Sequence, residues 1–195
     1  STAAKFIAEA GLDILLIDKA KFPRDKPCGG GLLSKVFIEF PYLREYQKEF
    51  AERQYDSIRL GHKDKEYKLA TPIPGDLTER KKFDWVLYKL AKNAGAKTLT
   101  DEVVDVKVRD DVLIKTKKGK EIRARMVIGA DGIRSVVAKS TGLNPGWKPS
   151  QLITICVGKV KLTEKQADEI ASRGNAMYIR SKSPLIGYGW VFALK

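Results

Sequence analysis

The stretch LDILLIDKAKFPRDKPCGGGLL, Leu12 to Leu33, decides the fold. Leu12, Ile14, Leu15, Leu16 and Ile17 make a near-continuous apolar run. Such a run reads as a parallel strand buried on both faces, whereas a half-solvated strand alternates. Asp18 stands where the run stops. Open α/β sheets bind ligands beyond the carboxyl ends of their strands, and an acid there accepts hydrogen bonds from a ribose. Taken alone, Asp18 fits a solvated acid at a strand end equally well. A basic loop follows, and Cys28 on Gly29, Gly30 and Gly31 closes the stretch. Three glycines strip side chains from the backbone and permit close approach of a large planar ligand.

Upstream, Ala3, Phe6, Ile7 and Ala10 share one helical face, and Gly11 suits the left-handed position after a helix. A dinucleotide fold places a strand and a glycine-rich turn before such a helix. Neither precedes Ser1 in this sequence, so the chain is expected to be cut at its N-terminus.

Downstream, Ser34 to Phe40 reads as a short helix, and Tyr42 to Gln54 has no clear period. Ser57 to Leu60 and Glu66 to Leu69 read as two short strands of a separate antiparallel sheet. Thr71 to Asp76, with Pro72, Pro74 and Gly75, reads as a loop. Phe83, Val86, Leu87, Leu90, Ala91 and Ala94 then predict an amphipathic helix ended by Gly95. Arg80 lies in its first turn, as a solvated helix start or as a guanidinium for a phosphate. Strands are predicted over Glu102 to Arg109, Val112 to Thr116 and Glu121 to Ile128. MVIGADGIRSVVAKSTG, Met126 to Gly142, reads as a buried strand entering a glycine turn and then a helix. Glycines there let the backbone approach a pyrophosphate, and the helix N-terminus favours an anion. Beyond Asn144-Pro145-Gly146, Leu152 to Leu162 is strand-like, and Thr163 to Ser172 is a helix with a capping box between Thr163 and Gln166. Ala176 to Arg180 and Gly187 to Leu194 are strand-like again. Tyr188, Trp190 and Phe192 alternate along the last, as core packing or as one wall of a substrate site.

At 195 residues and 43% hydrophobic content, the chain can bury a core in one domain or two. The net charge of +13 is spread along the sequence among acids. That pattern suits a solvated basic surface or attraction to anionic lipid, and no nucleic acid partner is expected. No run of about 18 apolar residues is present to span a membrane. Cys28 and Cys156 are the only cysteines, which suits a reducing cytoplasm and predicts neither zinc nor a disulfide framework. Cys156 reads as a small core residue. With His62 the only histidine, a Ser-His-Asp triad or a histidine metal site has little to work with, and no metal is expected.

STAAKFIAEAGLDILLIDKAKFPRDKPCGGG, residues 1–31, resembles the flavoprotein geranylgeranyl reductases and is more distantly similar to FAD monooxygenases of the para-hydroxybenzoate hydroxylase type. FPRDKPCGGG is the specific part. Arg80, three residues before Phe83-Asp84, and Gly129-Ala130-Asp131-Gly132 match the spacing of the family's cofactor motifs. The resemblance implies an α/β fold: an incomplete Rossmann-like FAD-binding domain with an antiparallel β substrate domain. Residues 1–40 and 77–148 would form the first, and 41–76 and 149–195 the second. It implies FAD as cofactor, contacted by Asp18, Cys28, Gly29, Gly31, Arg80, Val104, Asp131 and Gly132, with Val103-Val104 against the adenine. GYGWVFALK is similar to an aromatic substrate motif, which gives Tyr188, Trp190 and Phe192 a substrate role. Ala193 stands where the family has proline.

The implied reaction saturates C=C bonds in geranylgeranyl chains of isoprenoid ether lipids. Reduced FAD delivers hydride to one alkene carbon, and a proton reaches the other. Cys28 is the catalytic candidate, as proton donor with Arg24 and Lys26 nearby in sequence, or as a steric guide for the chain. The expected electron donor is NAD(P)H or ferredoxin. The expected location is cytoplasmic, peripheral at the inner membrane face. A later glycine-Asp stretch contacting the flavin is expected beyond Lys195. The competing readings are an aromatic monooxygenase or halogenase with the same cofactor, and a non-catalytic flavin- or lipid-binding remnant.

Overall fold

The computed structural model describes residues 1–62, 65–172, 178–181 and 189–194. In chain order the elements are α1 (Thr2–Glu9), β1 (Leu15–Asp18), β2 (Gly31–Leu32), α2 (Lys35–Glu39), a 3-10 turn (Pro41–Arg44) and α3 (Gln47–Phe50). Next come β3 (Ala51–His62), β4 (Lys65–Thr78), α4 (Arg80–Asn93), β5 (Lys97–Thr100), β6 (Val103–Val108), β7 (Val112–Thr116) and β8 (Glu121–Ala124). The last are α5 (Val136–Ser140), a second 3-10 turn (Pro149–Gln151), α6 (Glu164–Ser172), β9 (Tyr178–Ser181) and β10 (Gly189–Val191). Two compact units result: Ser1–Phe22 with Leu90–Cys156, and Pro23–Lys89 with Val157–Lys195.

In the first unit β1 pairs in parallel with β5, Leu15 opposite Lys97 and Asp18 opposite Thr100. The strand contributes to two apolar clusters. Leu16 and Ile14 pack on Ala4, Ala91 and Ala96, where small side chains let helices lie close to the strands. Ile17 packs on Val106, Val112 and Ile114, the inner face of the antiparallel sheet β6-β7-β8. Two-sided packing is why Leu15 to Ile17 need no polar residue between them. Gly11 and Gly95, at φ +75° and +104°, end the helical stretches before β1 and β5.

The second unit is a five-stranded sheet in the order β10-β9-β3-β4-β2. Its central hairpin is longer than the two short strands expected. The segment Thr71 to Asp76 lies within β4 instead of forming a loop. Ser57 pairs with Ala70 and Tyr55 with Gly75, so Thr71 to Pro74 bulge opposite Asp56. A bulge tolerates both prolines, because residues outside the ladder need no N–H to donate. Phe37 and Phe50 stack at 6.4 Å, and Phe83 meets Phe50 edge-on at 5.0 Å. These rings fix Pro41 to Phe50, which showed no period in sequence, as a turn and a short helix. The capping box forms as expected: Thr163 N–H donates to Gln166 Oε1 at 2.9 Å, and Gln166 N–H to Thr163 Oγ1 at 3.3 Å.

Three other expectations are corrected. Residues 126–128 are not strand; β8 stops at Ala124, and Met126 is 78% exposed. Residues 152–162 are not strand either, and Ile153 is 72% exposed. Cys156 is exposed and not a core residue. The cause is common to all three: apolar alternation becomes a strand only when a neighbour satisfies its backbone, and neither segment pairs with a strand among the described residues.

Asp76 is the most buried charge-bearing side chain described, at 0% exposure. Gln47 Nε2 donates to its two carboxylate oxygens at 3.0 and 2.8 Å. Burial pushes this carboxyl above its ordinary range, against the Gln47 and Gln54 amides and Arg44, which favour the charge. Between the ordinary and the raised value the folded chain holds a proton that the unfolded chain has lost, so Asp76 lowers stability as pH rises through that window. The expected outcome is a flatter pH dependence of the urea midpoint in Asp76→Asn than in the parent. Identical slopes in both proteins would refute the assignment.

Candidate functional site

Asp18 ends β1 at the carboxyl edge of the parallel pair. Its Oδ1 accepts the Ala20 N–H at 2.9 Å, so the carboxylate turns the chain away from the sheet just beyond the strand. Beside it, Asp101 follows β5 and donates its N–H to the Asp18 carbonyl at 3.0 Å. Asp101 was not singled out from the sequence. Its carboxylate accepts the Glu102 N–H at 2.8 Å and is held below the ordinary range: burial alone would raise it, but hydrogen bonds from Thr116, Glu102 and Lys118 prevail.

Val104 lies at an irregularity in β6. Val103 pairs with Thr116 and Asp105 with Lys115, which leaves Val104 without an opposite residue in the register. Its side chain is 50% exposed, while Val103 packs on the core. Bulges re-aim backbone at sites, so the irregularity suits a backbone contact to a base.

The turn Gly129 to Gly132 carries a different local logic from the one expected. Asp131 Oδ2 accepts the N–H groups of Val136 at 2.7 Å and Val137 at 3.2 Å, and its Oδ1 accepts from the Ser135 hydroxyl. Ser135 Oγ in turn accepts the Ala138 N–H at 2.9 Å. The donors at the N-terminus of α5 are therefore taken by the chain's own acid and hydroxyl. Partial burial would raise the Asp131 carboxyl, yet these bonds hold it below the ordinary range. Gly132 sits at φ +81° with open space where a Cβ would point. A carboxylate at a strand end, a bulged backbone and an open left-handed glycine fit a dinucleotide such as FAD.

In the second unit Arg80 opens α4. Its Nε and Nη2 donate to Asp84 Oδ1 and Oδ2 at 2.7 and 2.8 Å, and Arg24 Nη1 donates to the same Oδ2 at 3.1 Å. The Asp84 hydrogen bond pushes the Arg80 guanidinium up against partial burial, and the neighbouring Cys28 thiol adds to the push. Asp84 was quoted only as part of a motif. Its i+4 spacing from Arg80 was the available signal, whereas Arg24 lies 60 residues away in sequence and gave none. Arg24 donates to Asp84, and Arg80 neighbours Cys28.

Cys28 is exposed. The next two glycines are close-packed against protein. A Cβ at Gly29 would collide with Trp190 Nε1 and with the Phe192 ring. Gly30 sits at φ +81°, and a Cβ there would strike the Thr78 carbonyl. Gly31 begins β2, opposite Leu77. The structure thus brings Trp190 and Phe192 onto the loop of Cys28, while Tyr188 lies outside the described residues. Both aromatic rings are half-buried. Gly29→Ala is expected to cost about 1–3 kcal/mol of stability in denaturant unfolding. Much of that loss should vanish when Trp190→Ala is added; strictly additive effects would mean that the two do not meet.

Comparison with known proteins bears on the cofactor. Menaquinone reductase of Mycobacterium tuberculosis is 29% identical over all of this chain and 49% of its own length. Digeranylgeranylglycerophospholipid reductase 2 of Methanopyrus kandleri is 29% identical over 98% of this chain and 48% of its own. The chain spans about half the length of the curated relatives it matches. A geranylgeranyl bacteriochlorophyll reductase-like protein of Thermoplasma acidophilum has the same fold over the whole chain, with a TM-score of 0.74 at 22% identity and 50% of its own length covered. The halogenase PltM matches 72% of this chain and 34% of its own, with a TM-score of 0.60 at 14% identity. The family model described as "FAD binding domain" matches residues 1–184, so the chain belongs to the FAD-binding domain family, in the α/β architecture that the sequence predicted.

Proposed function

We propose that this chain is part of an FAD-dependent reductase that saturates C=C bonds in geranylgeranyl chains of isoprenoid ether lipids. The observation that carries the reading is the contact of the Cys28 loop with Trp190 and Phe192: an exposed thiol beside an apolar aromatic wall. Two relatives are named for reduction of menaquinone and of digeranylgeranylglycerophospholipid, which supports reductase chemistry over oxygen chemistry.

FAD, when bound and reduced, supplies a hydride. Asp18 would accept from its ribose, the Val104 backbone would meet the adenine, Gly132 would admit its pyrophosphate, and Arg80 would donate to an anionic oxygen. Asp131 would act by holding the turn at Gly132. Cys28, Gly29 and Gly31 would form the loop facing the flavin. Trp190 and Phe192, with Tyr188, would hold the isoprenoid chain and exclude water. An unpolarised alkene needs a proton at one carbon as hydride reaches the other. The Cys28 Sγ–H would supply it and be reprotonated from solvent, and steering of the chain is its alternative role. Residues 1–40 and 77–148 serve the cofactor in this reading, and 41–76 and 149–195 the substrate. Electrons arrive from NAD(P)H or ferredoxin. The +13 charge favours peripheral contact with an anionic cytoplasmic membrane face. Among the described residues no helix is long and apolar enough to cross a membrane.

The test uses the flavin-loaded protein, chemically reduced, with a geranylgeranyl lipid and separately with menaquinone, read by mass spectrometry. Cys28→Ala is expected to keep FAD and to slow or redirect saturation of the lipid. Parent-like rate and degree of saturation in that variant would remove Cys28 from the chemistry, and turnover of menaquinone alone would replace the substrate. Asp18→Ala and Arg80→Lys are each expected to weaken FAD by about 1–3 kcal/mol in a fluorescence titration. Unchanged affinity in both would move the cofactor elsewhere.

A further inference from the structure

Asp84 is the meeting point of two segments that the sequence keeps far apart. Its side chain is 9% exposed, against 26% for Arg80 and 20% for Arg24. Arg80 presents the side of its fork, Nε and Nη2, to both carboxylate oxygens, and Arg24 reaches one of them from the loop before Cys28. Helix stability does not explain the arrangement. A cation in the first turn opposes the helix dipole, and a base four residues before an acid is the weaker order for a helical pair. The first turn of α4 holds no acid at all. The carboxylate instead bridges two guanidiniums that would otherwise repel each other at short range. With Asp84 gone, the loop would lose its tie to α4 and Arg80 its fixed plane.

We propose that Asp84 is a positioning residue: by holding Arg24 and Arg80 on one carboxylate it fixes the Cys28–Gly31 loop to the first turn of α4 and presets Arg80 for the anionic part of the cofactor. The second half rests on the reading of Arg80 given under Proposed function; the first does not.

The experiment has two arms. The first uses the chain without flavin and follows tryptic nicking between Lys21 and Lys26, with hydrogen exchange of residues 23–31. Asp84→Asn is expected to raise both about ten-fold or more, in line with loss of charge-assisted hydrogen bonds, with exchange in β6–β8 unchanged. Arg24→Gln leaves the Arg80–Asp84 pair intact and should release the loop to hydrogen exchange in the same way, which covers failure of Asp84→Asn to fold. Parent-like exchange of the loop in Arg24→Gln, or in folded Asp84→Asn, overturns the proposal. The second arm titrates FAD. Asp84→Asn should weaken it about ten-fold, and adding Arg80→Lys should weaken it little further, because the two act as one unit. A merely structural Asp84 predicts additive losses. If the loop is released while neither variant changes FAD affinity, the tie stands and the cofactor role of Arg80 falls.

Discussion

The Thr78 N–H donates to the Gly30 carbonyl at 2.9 Å, and the geometry around Cys28 depends on that bond. It closes the loop onto β4 and starts the short ladder in which Gly31 faces Leu77 and Leu32 faces Asp76. The bond requires a left-handed residue with no side chain, because a Cβ at position 30 would enter the Thr78 carbonyl. Backbone cannot yield there, so the constraint is absolute in a way that a crowded side chain is not. Thr78 is fixed in turn by its hydroxyl, which donates to the Phe50 carbonyl at 2.6 Å, and Phe50 is stacked into the core. Two of the three glycines are thus explained by the protein's own sheet and rings. A planar ligand, the reason first suggested by the sequence, is not needed for Gly29 or Gly30.

Helices were legible because their signals are local. The faces of α1 and α4, the glycines that follow them and the capping box of α6 all lie within a few residues of what they control. The parallel strand β1 was legible from Leu15 to Ile17 for the same reason. What was not legible depended on partners. Pro72, Pro74 and Gly75 correctly marked irregular backbone, but only the register with β3 shows that the irregularity is a bulge inside a strand. Ile153 and Ile155 carry a strand pattern and remain exposed, because pattern does not supply a neighbouring ladder. At the candidate site the residue types were legible and their ties were not: Arg80 was visible, but Arg24, the second donor to its partner Asp84, arrives from another segment.

Lys and Arg are dense in sequence from Lys115 to Arg125, across the β7–β8 hairpin. There Lys115 pairs with Glu121 at 2.7 Å, Arg123 with Asp111 at 2.8 Å and Lys117 with Glu102 at 3.2 Å. All three are largely solvated, where water and salt screen an ion pair to little net effect. They offset the local charge without adding much stability, so the hairpin is a poor candidate for the strongest basic patch. The Arg24–Asp84–Arg80 group differs in kind. It is mostly buried, and one carboxylate holds two guanidiniums.

The same comparison of donors and acceptors changes what the Gly129–Gly132 turn offers an anion. A helix N-terminus attracts phosphate through N–H groups without partners and through its dipole. In α5 the N–H groups of Val136, Val137 and Ala138 already meet Asp131 and Ser135. The helix is also only Val136–Ser140, too short for much of a dipole. A pyrophosphate placed on that helix end would have to compete with a carboxylate held in place by two N–H groups and a hydroxyl. Gly132 presents no such competitor: its conformation is left-handed and the space beside it is open. In the proposed reading the motif therefore works through a bare stretch of backbone at Gly132, with Asp131 spent on holding that backbone still.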